Sequence, residues 1–179
     1  MMPEEERRQW QNPEAILTEI GLKPGMTFID VGCGEGFFSL PAAKMVGVKG
    51  KVYALDINPE KIEFLRTRAS FEGLANLATR VDEAENTVFC QACADIGFFG
   101  IVLHDFRDPA KVLSNAHRML KPSGILANLD WKKESTPFGP PERIRFSEEE
   151  ARHLIESQGF RVNDIRNSGL YHYLMIAVP

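Results

Sequence analysis

Cysteine is scarce in this chain, with three in 179 residues, and the odd number argues against a secreted disulfide framework and fits a reducing cytoplasm. Long apolar runs are missing too. The longest are strand-sized and broken by Gly, Asp or Lys, and the first eight residues are charged rather than apolar, so neither a membrane span nor a signal peptide is expected. There is no excess of positive charge. With 21 Lys and Arg against 25 Asp and Glu, the net charge of -4 offers no long-range attraction to phosphate backbones or anionic lipid, and no nucleic-acid partner is expected. Internal repeats, low-complexity tracts and linkers are also lacking. What remains is 44% hydrophobic and 26% charged, the proportions of a soluble globular protein, and residues 1–179 are expected to form a single domain.

Short β-rich apolar runs alternate with amphipathic stretches along the chain, which implies βα units and a mostly parallel sheet. Pro13 opens a leading helix through Ile16, Leu17 and Ile20, and Pro24-Gly25 turns into a first strand at 27–31. A helix over 36–45 and a strand at 51–56 follow. Asn58-Pro59 reads as the cap and first residue of a helix that turns Ile62, Leu65 and Ala69 inward. Strands are expected at 75–81, 94–103 and 125–131. A helix over 109–120 precedes the last of these, stopped by Lys121-Pro122-Ser123-Gly124. Ser147 with Glu150 forms a capping box. Two strands, 160–167 and 171–178, then meet at Ser168-Gly169, a hairpin signal that places an antiparallel strand in the sheet.

The strongest local signal is Phe28-Ile29-Asp30-Val31-Gly32-Cys33-Gly34-Glu35-Gly36, an apolar strand running into a glycine turn and then a helix. Glycine there permits positive φ and lets a ligand approach bare backbone at the carboxyl end of a parallel strand. Asp56 ends the second strand, where a carboxylate can accept hydrogen bonds from both hydroxyls of a ribose. Nucleoside binding is the common denominator. The spacing G-x-G-x-G is one residue shorter than the dinucleotide fingerprint G-x-G-x-x-G and points away from NAD.

The segment from Asp30 to Gly36 resembles motif I of class I S-adenosylmethionine-dependent methyltransferases, and Asp56 sits where that family's ribose-binding acid sits. Ala94-Asp95-Ile96 resembles its fourth-strand motif. Arg118 to Leu126 is similar to its stretch before strand five, and within the family the chain looks nearest the ubiquinone/menaquinone-biosynthesis (type 11) group. The resemblance implies a Rossmann-like, doubly wound α/β fold whose seven-stranded, mostly parallel sheet has an antiparallel last strand. It implies S-adenosyl-L-methionine as cofactor, methyl transfer to a small molecule, and no metal. Gly32, Gly34 and Gly36, with Cys33 as a small filler among them, would line the aminoacyl and ribose portions. Asp30 would orient the methionine ammonium, Asp56 with Ile57 beside it would hold the ribose, and Asp82 or Glu83 would meet the adenine, unless those two acids are solvated surface charge.

Methyl transfer needs nucleophile and methyl held in line and water kept out; a base is optional. His104 and Asp105, just past strand four, and Asp130, ending strand five, are the candidate proton acceptors, with rim packing and loop pinning as the plainer roles. Trp131, Lys132, Lys133, Arg143 and Arg145 are expected beside the acceptor and would suit an anionic one, Arg143 and Arg145 sharing a face if their segment is extended. Residues 1–12 are either a lid, with Arg7-Arg8-Gln9-Trp10 folding over the pocket, or disordered. Cys90-x-x-Cys93 has no partner pair at metal-ligand spacing and reads as two packed thiols on a helix. The rival functions are a catalytically silent cofactor-binding partner subunit and a NAD-linked oxidoreductase. A chain this compact leaves the pocket open, which suits a small acceptor or completion by a second subunit in a homodimer.

Overall fold

The structure, a computed structural model, describes residues 4–8 and 10–179. Seven strands form one sheet: β1 (Thr27–Val31), β2 (Lys51–Asp56), β3 (Leu77–Val81), β4 (Ala94–Gly100), β5 (Leu120–Trp131), β6 (Arg161–Ser168) and β7 (His172–Val178). Their order is β3-β2-β1-β4-β5-β7-β6. β1 to β5 pair in parallel, and β7 lies antiparallel between β5 and β6, so that β7 alone runs against the rest. The hairpin signal foretold this reversal, Gly169 (φ +67°) turning the chain between the two strands.

The helices are α1 (Glu4–Arg8), α2 (Pro13–Glu19), α3 (Ser39–Val46), α4 (Pro59–Phe71), α5 (Pro109–Met119) and α6 (Glu148–Ser157). Among the described residues, no helix is long and apolar enough to cross a membrane. Alternation along each strand divides the core between the two faces of the sheet. Phe28, Phe98 and Leu129 join Leu17, Phe38 and Val46 from α2, the loop before α3 and α3, while Ile29, Phe99 and Leu126 join Leu113, Ala116 and Ile155 from α5 and α6. Burying each such side chain contributes about 1.5–3 kcal/mol, which fixes the register because a slip by one residue would turn both sets to the wrong face.

Several boundaries differ from expectation for local reasons. α3 begins at Ser39 rather than residue 36, because Gly36 at φ +90° belongs to the turn. β3 begins at Leu77 rather than 75. β4 stops at Gly100, since Ile101 adopts φ +63° and ends the ladder. β5 begins at Leu120, not 125: Lys121-Pro122-Ser123-Gly124 is an irregularity inside the strand, where the register with β4 jumps from Ala94↔Leu120 to Ile96↔Ile125 and a proline costs no ladder bond. Asp95 holds this end together, accepting from Lys121 Nζ at 2.7 Å and Thr27 N at 2.8 Å. Cys90 and Cys93 lie on no helix; they occupy an irregular segment before β4 and are joined as a disulfide, contrary to the packed thiols expected.

Candidate functional site

The strand order reverses between β1 and β4, so the carboxyl ends of β2, β1, β4 and β5 border a crevice, here a cavity of about 680 Å³. Its floor is the glycine turn. Gly32 N and Cys33 N both donate to Leu55 O, at 2.8 and 2.9 Å, which draws the turn against the end of β2. All three glycines have positive φ, but they do different work. A Cβ on Gly32 would stand 2.4 Å from Val102 and one on Gly36 2.3 Å from Leu65, whereas one on Gly34 would meet nothing within 4 Å. Gly32 and Gly36 therefore permit close packing of the protein on itself, and Gly34 offers bare backbone to the cavity; Gly36 does not line it.

Asp56 locks this turn. Its Oδ2 accepts from Gly34 N at 2.8 Å and its Oδ1 from Asn58 N at 2.9 Å, the latter at the start of α4. Asp30 lies beneath, 1% exposed, accepting from Ser39 Oγ at 2.5 Å. Burial pushes its carboxyl up to about 7, against the Ser39 hydrogen bond, with the Asp56 charge adding to the rise and Arg7 opposing it. Burial likewise holds the Cys33 thiol far above its usual range, as befits a filler. Asp82 and Glu83 both line the cavity with Ile57; Asp82 Oδ1 accepts from Glu83 N at 2.9 Å, and Glu83 Oε2 from Asn86 Nδ2 at 2.9 Å.

The opposite wall is aromatic. Trp10 stacks on His172 with ring centroids 5.3 Å apart and planes 6° from parallel, and contacts Phe138 and Trp131 at 5.5 and 6.1 Å. Trp10, Trp131 and Phe138 line the cavity together with Phe37, Phe38 and Phe106. Arg7 lies with its guanidinium 3.9 Å from the centre of the Phe37 ring and donates to Gln11 Oε1 at 2.7 Å. Gln9, named with these residues in the expected lid, falls outside the described residues. His172 Nε2 is buried with no partner among the described residues; burial, then Arg7, Arg145 and Lys132, push its pKa down to about 4.

His104, Asp105 and Asp130 are brought together as a chain. His104 Nδ1 lies 2.7 Å from Asp130 Oδ1 and its Nε2 3.5 Å from Asp105 Oδ1. Burial pulls the imidazole pKa down, but the Asp130 hydrogen bond and charge, with Asp105, outweigh it and the net shift is upward. Asp130 is 1% exposed and also accepts from Trp131 N at 2.8 Å; its Oδ2 has no partner among the described residues. Asp105 lines the cavity, and the other two stand behind it.

The expected cluster of cations does not form there. Lys132 Nζ donates to Leu170 O at 3.2 Å, and Lys133 pairs with Glu150 at 2.8 Å. Arg143 is exposed on a short 3-10 turn, Glu142–Ile144, while Arg145 is 4% exposed, so the two do not share a face. Arg145 donates to the carbonyls of Lys132, Glu134 and Pro140 and to Thr136 Oγ1, and covers the Trp131 ring at 4.9 Å, which makes it the clasp of the loop rather than a cavity residue. Lys61 and Arg107 line the cavity with Arg7 and escaped sequence reasoning, as did Phe37, Phe38 and Phe106; only proximity to strand ends could have marked them. No group of three or more metal-ligating side chains occurs among the described residues.

A turn with open backbone at Gly34, a carboxylate fixed beside it and acids at the third strand's end fit a nucleoside carrying a charged tail. Residues 22–169 match a family model described as a methyltransferase domain. A ubiquinone/menaquinone biosynthesis C-methyltransferase, UbiE, of Hydrogenovibrio crunogenus is 30% identical over 132 residues, 73% of this chain and 51% of that protein. The aklanonic acid methyltransferase DauC of a Streptomyces species is 32% identical over 122 residues, 66% of this chain and 54% of its own. The chain thus spans about half the length of the curated relatives it matches. A crystal structure of an S-adenosylmethionine-dependent methyltransferase from Aquifex aeolicus superposes with a TM-score of 0.90 at 36% identity, covering 96% of this chain and 91% of that one. The chain belongs to the class I S-adenosylmethionine-dependent methyltransferase family, near its UbiE group.

Proposed function

We propose that this chain moves a methyl group from S-adenosylmethionine to a small, largely apolar acceptor enclosed beneath Trp10. One observation carries the reading: a single cavity joins the bare backbone of Gly34 and the fixed carboxylate of Asp56 at one end to a wall of Trp10, Phe37, Trp131 and Phe138 at the other. When bound, the cofactor supplies a methyl activated on a sulfonium. Gly32 and Gly34, with Cys33 between them, cradle its aminoacyl and ribose portions, Asp56 with Ile57 takes the ribose, Asp30 faces the ammonium, and Asp82 or Glu83 the adenine. The aromatic wall excludes water and holds the acceptor flat for in-line attack. The described part of the N-terminal segment, residues 4–8 and 10–12, serves as the lid of a single domain, latched by Arg7 on Phe37 and by Trp10 on His172.

Where the acceptor must lose a proton, Asp105 receives it at the cavity surface, and His104, oriented and made more basic by Asp130, stands behind to accept it. An anionic group on the acceptor would meet Arg7 rather than the cations of residues 132–145. The names of the two curated relatives, one a C-methyltransferase of quinone biosynthesis and one an aklanonic acid methyltransferase, support a small-molecule acceptor. A cytoplasmic location belongs to the same proposal. Calorimetric titration with S-adenosylhomocysteine, followed by a screen of aromatic acceptors scored by release of that product, tests it. Tight binding with no turnover on any acceptor would favour a silent partner subunit instead.

A further inference from the structure

Cys90 and Cys93 lie outside the catalytic machinery, yet they close a ring on the segment that leads from the adenine side of the cavity into β4. The beginning of that segment, Asp82 to Glu85, lines the cavity. Thr87 Oγ1 donates to Glu83 O at 3.0 Å, and Asn115 Nδ2 reaches Ala84 O at 3.0 Å and Glu85 O at 2.8 Å, so this stretch is tied down from α5. Phe89 stacks on Tyr53 of β2 at 5.0 Å, and its N–H lies 3.2 Å from Met119 Sδ. Within the ring, Ala92 N donates to Arg118 O at 3.0 Å and Cys93 N to Met119 O at 2.9 Å.

Two features set this pair apart from a buried structural cross-link. Both cysteines are half-buried and the residues between them, Gln91 and Ala92, are exposed, which gives a thiol reagent access. Ala92 sits at φ +45°, a conformation a residue with a Cβ adopts only when its surroundings impose it, and opening the ring frees it to relax. We propose that Cys90 and Cys93 form a reversible redox pair that couples the thiol–disulfide state of the surroundings to the adenine side of the cofactor site. In the reductive direction a dithiol supplies the electrons: one of its thiolates attacks a ring sulfur, the other cysteine leaves as a thiolate and is protonated, and the second thiol of the reductant displaces the first cysteine. Two electrons and two protons pass to the protein, and the reductant is left as a cyclic disulfide.

The test uses the intact chain, air-oxidised or treated with dithiothreitol, with thiols counted under denaturing conditions and S-adenosylhomocysteine affinity measured by calorimetry. One thiol, that of Cys33, is expected before reduction and all three cysteines after it. Reduction should weaken S-adenosylhomocysteine binding roughly threefold or more by loosening the segment. A Cys90→Ser/Cys93→Ser variant should bind as the reduced wild type does and ignore dithiothreitol. Three free thiols persisting after challenge with oxidised glutathione, or equal affinity in the two wild-type forms, would overturn the proposal; the thiol count needs no cofactor and is independent of the activity.

Discussion

Single residues here divide into those that face the cavity and those that let the protein meet itself, and the three glycines of the turn make the division measurable. Gly34→Ala places a methyl in open space at φ +55°, so it should cost only about 1–2 kcal/mol of stability while sharply weakening S-adenosylhomocysteine binding. Gly36→Ala drives its Cβ to 2.3 Å from Leu65 and should cost about 2–4 kcal/mol. Calorimetry and thermal melts on the pair separate the roles, and a Gly34→Ala protein that binds normally would refute the cradle. Asp56→Ala frees the N–H groups of Gly34 and Asn58 from charge-assisted bonds worth about 1.5–3 kcal/mol each, and affinity should fall by at least about tenfold. For Asp130→Asn the expected result is a kcat at least about tenfold lower with the acidic limb of the pH–rate profile moved to lower pH, because the carboxylate charge that raises the His104 pKa is gone. An unmoved limb would remove His104 from the proton path.

At the scale of elements, the segment between β5 and α6 shows how a charged side chain can be spent on architecture. Without Arg145, the carbonyls of Lys132, Glu134 and Pro140 lose their donors and Trp131 loses the cation covering its ring. Arg145→Ala should therefore cost about 3 kcal/mol in denaturant melts and speed hydrogen exchange across residues 132–145. Arg143→Ala, at an exposed site, should stay within about 0.5 kcal/mol of wild type. Equal effects of the two would contradict the clasp. α6 itself is delimited by the Ser147–Glu150 capping box, both halves of which form, and α4 by Asn58, whose side chain accepts from Glu60 N and Lys61 N.

For the whole molecule, two buried titrating groups under the same roof act in opposite directions on stability. Asp30 has its folded pKa raised from 3.8 to about 7, so between those values the folded chain keeps a proton the unfolded chain has lost, and its contribution falls as pH rises. His172 has its folded pKa lowered from 6.5 to about 4, so the unfolded chain takes up a proton first and its contribution is lost as pH falls from 6.5 towards 4. Each slope is at most about 1.4 kcal/mol per pH unit, and the two offset over the shared window. Asp30→Asn should unmask the fall toward acid and His172→Phe the fall toward neutrality, read as chemical-denaturation midpoints from pH 4 to 7.5; parallel curves for both variants would refute the offset.

Much of this was legible along the chain because it depends on local pattern. Period-two apolar runs, capping residues and the Gly32–Gly36 turn place the strands, the helices and the glycine-turn end of the cavity within a few residues of where they stand. The bulge at Lys121-Pro122-Ser123-Gly124 misled because a proline and a glycine read as a helix stop whether the chain leaves the sheet or kinks within it. The cations near residue 131 misled for another reason: sequence gives their number, but whether a guanidinium faces a ligand or a ring of carbonyls depends on how the loop folds back. Sequence alone determined the order of elements, the reversed strand and the acids at strand ends, since each follows from neighbours in the chain. Only the tertiary structure decided which glycine stays bare, which arginine is consumed by its own loop and which aromatics roof the cavity, because those outcomes rest on contacts between residues far apart in sequence.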